Sequence, residues 1–346
     1  MAGRVTIYDV AAKAGVSIST VSLAMNAPTR VSAATRKKIY DAAEALGFEP
    51  KTEAVARARR GVGRIGVLAP FSSYASFGER LNGVLRAVRD QPLEVAVFDL
   101  ESAAATTSPL LASLPLTGRL DGLIVMGMPL DDSIAERLRD LQMPTVLVEM
   151  IYEGFDAVHI DDTAGGRIVA EHLHRLGYQT FGYIGEEQRS HLYVSPSERR
   201  LAGFANTLAA RGHTVDEGHI VLVQHRSDAA DHAATRLLTT LSRPAAIFAH
   251  DDVLAAGVLR AARGLGLDVP RDIAIVGFDD SELARALDLT SVRQPLQESG
   301  RAAVQLLAER LHDPTRPIRD VSLKLQLMPR ATTSPNPSPS PVRDLP

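Results

Sequence analysis

From about residue 63 onward, short apolar runs alternate with stretches of helical spacing. The runs are IGVLA (65–69), VAVFDL (95–100), GLIVMG (122–127), TVLVEM (145–150), AVHI (157–160), FGYIG (181–185), AAIFAH (245–250) and IAIVGF (273–278). So many buried-type strands with helices between them predict a parallel, doubly wound α/β layout.

The first fifty residues follow a different period. Val10 and Ala14 lie one turn apart after Thr6, and Gly15-Val16-Ser17 follows as a glycine turn with a serine able to cap the next helix. That helix, Ile18 to about Met25, is short. Ile18, Val21 and Met25 share an inward face, leaving Ser19, Thr20, Leu23 and Asn26 outside. A third helix starts after Ser32, carries Ile39, Ala42 and Leu46 on one face and ends at Gly47. Helix, tight glycine turn and short second helix make a helix-turn-helix, whose second helix enters the DNA major groove.

Between the two regions, ARARRGVGRIGVLAP (56–70) places Gly61, Gly63 and Gly66 at the G-x-G-x-x-G spacing of a dinucleotide-binding turn. That turn needs a strand before it and a helix beginning within it, so that the pyrophosphate sits on the helix N-terminus. Here an Arg- and Ala-rich stretch comes first and the β-type run comes after. The glycines therefore read as a joint, and no cofactor is expected.

Composition narrows the function classes. A chain of 346 residues suits two or three domains. It has no apolar run of 18 residues and no charged-then-apolar leader, which predicts a cytoplasmic protein. With no cysteine, disulfides, thiolate zinc sites and cysteine nucleophiles are excluded. His172 and His174, two apart, do not share a helical face, and no metal site is expected. Charge is uneven: residues 1–64 hold 11 Lys and Arg against 5 Asp and Glu, and the remainder 27 against 36. The N-terminal piece suits a polyanion, although a merely solvated basic face would give the same count.

The stretch Val5-Thr-Ile-Tyr-Asp-Val-Ala-Ala-Lys-Ala-Gly-Val-Ser-Ile-Ser-Thr-Val-Ser-Leu-Ala-Met-Asn26 closely resembles the headpiece of the lactose-repressor family of bacterial transcription regulators. Val31-Ser-Ala-Ala-Thr-Arg36 and Leu46-Gly-Phe-Glu-Pro50 resemble it too. Asp268-Val-Pro-Arg-Asp-Ile-Ala-Ile-Val-Gly-Phe-Asp-Asp280 and Leu289-Thr-Ser-Val-Arg-Gln-Pro295 are similar to that family's sensor motifs, and the resemblance spans about residues 4–333. It implies an all-α headpiece over residues 1–50, a hinge over 51–62, and a sensor of two doubly wound lobes, like that of periplasmic binding proteins, over 63–333. Lobe 1 would comprise about 63–160 and 291–320, and lobe 2 about 161–290 and 321–333, with the effector bound in the cleft between them. The Pro- and Ser-rich tail, 334–346, reads as low-complexity and disordered. The implied protein is a homodimeric repressor, not an enzyme, that binds operator DNA and responds to a small effector such as a sugar or sugar derivative. A solute-binding protein and a sugar-modifying enzyme of similar fold are the alternatives.

Site residues follow from the same resemblance. Ser19 and Thr20 would reach base edges, while Thr6, Tyr8, Ser17, Ser22, Asn26, Ser32 and Thr35 hold phosphates. Ile18 and Arg30 complete the DNA-facing set with Leu23, where many relatives carry an arginine. Arg57, counted from Pro50, stands where relatives wedge a leucine into the minor groove. An arginine can instead lie in a narrow, A·T-rich groove. For the effector, Arg200, Asp279 and Asp251 or Asp252 would bind hydroxyls, with Ser72, Tyr74 and Phe77 facing them from lobe 1. The acidic doublets 161–162, 251–252 and 279–280, read as the ends of three lobe 2 strands, also suit helix capping, expected of about half of the six aspartates. Phe77 is as readily a core residue. Arg199 reads as solvated, and His250 as either a ligand contact or a strand-end residue.

Overall fold

The computed structural model describes residues 5–26, 30–46, 48, 63–89, 91–100, 120–188 and 195–334. Gly47, Arg57, Gly61 and the tail beyond 334 lie outside them. The chain divides into two compact units: Met1–His159 with Gln297–Val321, and Ile160–Leu296 with Ser322–Pro346.

The N-terminal domain is α1 (Ile7–Ala14), α2 (Ile18–Asn26) and α3 (Ala33–Ala45). The Thr6 amide donates to Asp9 Oδ2 at 2.7 Å, one half of a capping box. Gly15 ends α1 at φ 67°, a left-handed position that glycine adopts without penalty. Ser17 Oγ accepts from the Thr20 amide at 3.1 Å and Ser32 Oγ from the Thr35 amide at 3.2 Å, so both later helices start on serine caps. Val10, Val21, Ala24, Met25, Ile39 and Ala42 form the core. The inward face of α2 is thus Val21, Ala24 and Met25. Ile18, expected inward, is 42% exposed, because Ala24, three residues after Val21, packs against the neighbours instead.

The first unit's sheet contains β1 (Gly63–Ala69), β2 (Leu93–Asp99), β3 (Gly122–Met126), β4 (Thr145–Val148), β5 (Asp156–Ile160) and β11 (Asp320–Leu323); the second unit's contains β6 (Thr180–Glu186), β7 (Ile220–Val223), β8 (Ala245–Ala249), β9 (Ile273–Asp279), β10 (Thr290–Arg293) and β12 (Gln326–Met328). Their orders, β11-β5-β4-β3-β1-β2 and β12-β10-β9-β8-β6-β7, correspond place for place. β1 pairs in parallel with β2 and β3, Ile65 standing opposite Val95 and Gly122. β6 does the same with β7 and β8, while β12 runs antiparallel to β10. The central strands are buried almost throughout, as parallel strands covered on both faces must be. All eight apolar runs are strands. AVHI, however, is β5 of the first unit's sheet, so the doublet 161–162 ends no strand of the second.

The helices are α4 (Ala75–Val88), α5 (Asp132–Asp140), α6 (Asp162–Arg175), α7 (Pro196–Ala209), α8 (Ser227–Thr240), α9 (Asp252–Gly264), α10 (Glu282–Ala286) and α11 (Leu296–His312). In the first unit Asp156 is buried and receives Arg310 Nε at 3.0 Å, Arg316 Nη1 at 2.9 Å and the Arg319 amide at 2.9 Å, which ties α11 and β11 to β5. In the second, α6 and α7 touch along their backbones. A β-carbon on Gly166 would lie 2.0 Å from the Arg200 carbonyl oxygen, and one on Gly203 2.0 Å from that of Thr163. Thr332 Oγ1 donates to the Ile275 carbonyl at 2.7 Å and Thr333 Oγ1 lies 2.9 Å from His172 Nε2, pinning the end of the described chain to this unit. Burial holds His172 down to about 4.

Candidate DNA interface and effector site

Three hydroxyls converge at the start of α2. Ser17 Oγ lies 2.8 Å from Ser19 Oγ and 2.7 Å from Thr20 Oγ1, beside the positive end of the helix dipole. Ser17 and Ser19 are exposed and Thr20 is half-buried. One turn on, Leu23 is 36% exposed, and Tyr8 on α1 is 66% exposed. An exposed apolar side chain amid hydroxyls on a short helix can read a thymine methyl while the hydroxyls hold phosphate. Arg30 and Ser32 are exposed and Ser22 and Thr35 half-buried. Thr6 also donates its hydroxyl to Asp9 at 2.7 Å. The Asn26 side chain and Arg57 lie outside what the structure describes.

In the second unit the chain winds outward in opposite directions from between β6 and β8, and ligands of open α/β sheets bind beyond the carboxyl ends of the strands at such a switch point. The loops there carry Glu186, His250 and Asp251. Asp251 Oδ1 caps α9, accepting from the Leu254 amide at 2.9 Å, while its other oxygen pairs with His225 Nε2 from beyond β7. Both side chains are mostly buried. Burial opposes the charge on each. The ion pair outweighs it, raising His225 to about 9 and holding Asp251 below the usual carboxylate range. His250 is buried, its Nε2 4.0 Å from Glu186 Oε2, and burial plus the nearby Arg200 push it down to about 3.

Arg200 is 4% exposed. Its Nε donates to Asp162 Oδ1 at 2.9 Å, its Nη1 to the His250 carbonyl at 2.7 Å, and its guanidinium carbon lies 3.6 Å from the centre of the Phe278 ring. The glycine contact between α6 and α7 sets this geometry by bringing Arg200 over the first turn of α6. Arg199, expected in solvent, donates to Asp162 Oδ2 at 2.9 Å, because one turn of α7 presents both arginines to one carboxylate.

Asp279 has φ 104° and Asp280 φ 55°, consecutive left-handed positions held by non-glycine residues. Such strain persists only where the surroundings enforce it. Here Arg293 Nε donates to buried Asp280 at 2.7 Å, Arg330 also pairs with it, and Gln294 Nε2 donates to Asp279. Asp252 is buried beneath, receiving Ser291 Oγ at 2.6 Å and Ser281 Oγ at 2.8 Å. Burial, and then the Asp279 carboxylate, push it up to about 7. Asp161 Oδ1 accepts from the Ala164 amide at 2.9 Å, so Asp161 caps α6 as Asp251 caps α9, and Asp162, Asp252 and Asp280 are hydrogen-bonding centres. Asp279 is the half-buried member, at the carboxyl end of β9.

In the first unit the loop after β1 holds Ser72, whose amide donates to Asp99 Oδ1 at 3.0 Å. Tyr74 and Phe77 meet edge to face at 5.9 Å. Phe77 is buried, with Arg80 stacked 5.2 Å from its ring centre, and Arg80 pairs with Glu149 at the end of β4. Glu149, Glu186 and His225 escaped the sequence reading. His225 follows β7, a half-exposed edge strand of four residues with no strong period. Glu149 is a single acid at a strand end, and Glu186 opens a Glu186-Glu187 pair after FGYIG that the reading, drawn to the aspartate doublets, passed over.

Two family descriptions match the chain: "Bacterial regulatory proteins, lacI family" over residues 6–51 and "Periplasmic binding protein-like domain" over 170–333. Among curated relatives, the HTH-type transcriptional repressor PurR of Photobacterium profundum is 30% identical over 313 residues, 89% of this chain and 92% of its own. Among solved structures, the lac repressor dimer bound to operator is 25% identical with a TM-score of 0.69, covering 96% of this chain and 99% of that one. A complex of the transcriptional regulator CelR with cellobiose is 26% identical with a TM-score of 0.68, covering 95% and 100%. Among the described residues, no helix is long and apolar enough to cross a membrane.

Proposed function

This chain belongs to the lacI family of bacterial regulatory proteins, and from that premise we infer that it is a cytoplasmic, homodimeric transcriptional repressor that binds an operator through α2 and answers to a small polyhydroxyl effector. The observation that carries this reading is the Ser17-Ser19-Thr20 hydroxyl cluster, with Ser17 and Ser19 exposed, beside Leu23 on α2, held by serine caps on a closed three-helix core. The effector half rests on the carboxyl ends of β6 and β9 in the second unit. There Asp279 and Glu186 offer carboxylate acceptors, and Arg200 is a fixed cation behind them. A neutral polyol suits such acceptors, and the CelR complex with cellobiose is a precedent in a similar protein. Relatives are transcriptional regulators, and the reading assigns no catalytic step.

The test is selection of fragments from the source genome on the immobilised full-length protein, followed by elution with a panel of neutral sugars that includes cellobiose. The reading expects one palindromic sequence to be enriched and one sugar class to change its retention. Recovery of no common sequence would sink the DNA half. A common sequence whose retention no sugar alters would sink the effector half.

A further inference from the structure

Within the first unit, α3 of the DNA-binding domain lies against α5 of the sheet domain. Arg137 of α5 stacks its guanidinium 5.1 Å from the centre of the Tyr40 ring, and its Nη2 lies 3.7 Å from Asp41 Oδ1 and 3.8 Å from Glu44 Oε2. Beside the contact is a cavity of about 340 Å³ flanked by Arg36, Lys37, Ser133 and Asp140. Tyr40 is buried and reaches past this contact: its hydroxyl donates to the Ala24 carbonyl of α2 at 3.0 Å. One side chain of the sheet domain is thereby linked, through one tyrosine, to the backbone of the helix that meets DNA.

We propose that Arg137 is an ionic and cation–π latch that docks the DNA-binding domain onto α5 of its own chain and fixes the orientation of α2 before DNA arrives. The family reading gives α2 its role, but the docking does not depend on that reading. The chemistry of the contact makes it releasable. Its carboxylate distances exceed hydrogen-bond length, and Arg137 Nη1 is buried without a hydrogen-bond partner. Asp41 and Glu44 are 50% and 40% exposed, so salt screens them. What remains is the guanidinium face on the tyrosine ring, a modest attraction on its own. A contact of this kind holds a domain in place without welding it there. The orphaned Nη1 fits that role, since most buried donors in settled interfaces are paired.

The chain has no cysteine, so introduced cysteines are the only attachment points for spin labels. Lys38 is exposed on α3 and Leu141 is 40% exposed just after α5. The full-length Lys38→Cys/Leu141→Cys protein is labelled, diluted into unlabelled excess so that only intrachain distances are read, and measured without DNA. A single narrow distance is expected in the parent. Arg137→Glu and the milder Arg137→Gln should each broaden it at least twofold, as should raising the salt from about 0.1 to about 1 M, where screening shortens from roughly 10 to 3 Å. Adding Asp41→Lys and Glu44→Lys to Arg137→Glu should narrow it again. Unchanged amide exchange in α2 shows that the domain stays folded in each variant. A broad distance in the parent, an unchanged width in both Arg137 variants, or no recovery in the charge-swapped protein would each overturn the proposal. None of these outcomes bears on whether the protein binds an operator.

Discussion

Arg200 donates through Nη1 to the main-chain carbonyl of His250 at 2.7 Å, so α7 and the carboxyl end of β8 share one buried cation. Its Nε is committed to Asp162. Arg200 is therefore part of the frame of the proposed effector site before any effector binds, and removing it leaves buried Asp162 with the half-exposed Arg199 alone. Arg200→Ala should lose about 3–5 kcal/mol of stability, the cost of breaking one side of a buried pair, together with effector binding. Asp279→Ala should lose about 2–5 kcal/mol of effector binding with little change in stability. Urea unfolding beside calorimetric titration separates the two. If Arg200→Ala unfolds like wild type, its place in the frame has been misjudged.

The His225–Asp251 pair sets a pH window. His225 binds its proton more tightly in the folded chain, at about 9, than at the ordinary 6.5. Its contribution to stability is present in full below pH 6.5 and fades as pH rises through 9. In Asp251→Asn the ion pair is lost and only the Glu186 and Asp279 carboxylates still oppose burial, so the imidazole should titrate well below 9. NMR of labelled histidine follows both. A midpoint for His225 near 6.5 in the parent would contradict the pairing.

Asp156 should be the most sensitive acid of the first unit. It is 1% exposed and held by two arginines and a backbone amide. Asp156→Ala leaves Arg310 and Arg316 side by side without it, and about 3–5 kcal/mol of loss is expected in denaturant unfolding. Lys37–Asp41, with side chains 77% and 50% exposed, makes the contrast: Lys37→Ala should move the midpoint by less than about 1 kcal/mol.

Much of this was legible in the sequence, for reasons that differ by element. Buried parallel strands such as β3 and β8 are apolar at every position and show as runs. The edge strands β7, β11 and β12 mix half-exposed and exposed positions over three or four residues, too short a span for any period to show. β10 is buried but reads Thr-Ser-Val-Arg, because Thr290 and Ser291 bond inward to Thr333 and Asp252. Nor can spacing reveal which carboxylate an arginine meets. Asp162 lies 37 residues from Arg199 and 38 from Arg200, and only the glycine contact between α6 and α7 joins them.

That contact gives a prediction of its own. A methyl group on Gly203 would strike the Thr163 carbonyl oxygen at 2.0 Å, and backbone cannot step aside cheaply. Gly203→Ala should cost about 1–3 kcal/mol or more and weaken effector binding by shifting Arg200. A β-carbon on Gly78 in α4 would meet nothing within 4 Å. Gly78→Ala should stabilise by roughly 0.5–1 kcal/mol. Thermal unfolding of the pair checks the sign of each.

On the DNA side, Leu23→Arg replaces an apolar contact with a side chain that pairs bidentately with guanine. Selection from a random operator library should shift one base position per half-site towards G. An unchanged preferred base would mean that Leu23 does not reach the groove.

The first unit is closed by residues 297–321, which leave the ribosome only after the whole of 160–296 has been made. At roughly 5–20 residues per second the delay is on the order of ten seconds. Through that interval β5 has no β11 beside it, and Asp156 has neither Arg310 nor Arg316 to meet its charge. The three-helix domain at the N-terminus draws its core from residues 7–48 alone and meets no such wait. A nascent chain would then carry a finished DNA-binding domain ahead of an open sheet edge, the form in which chaperones would meet it and in which a stalled or truncated product would reach the cell.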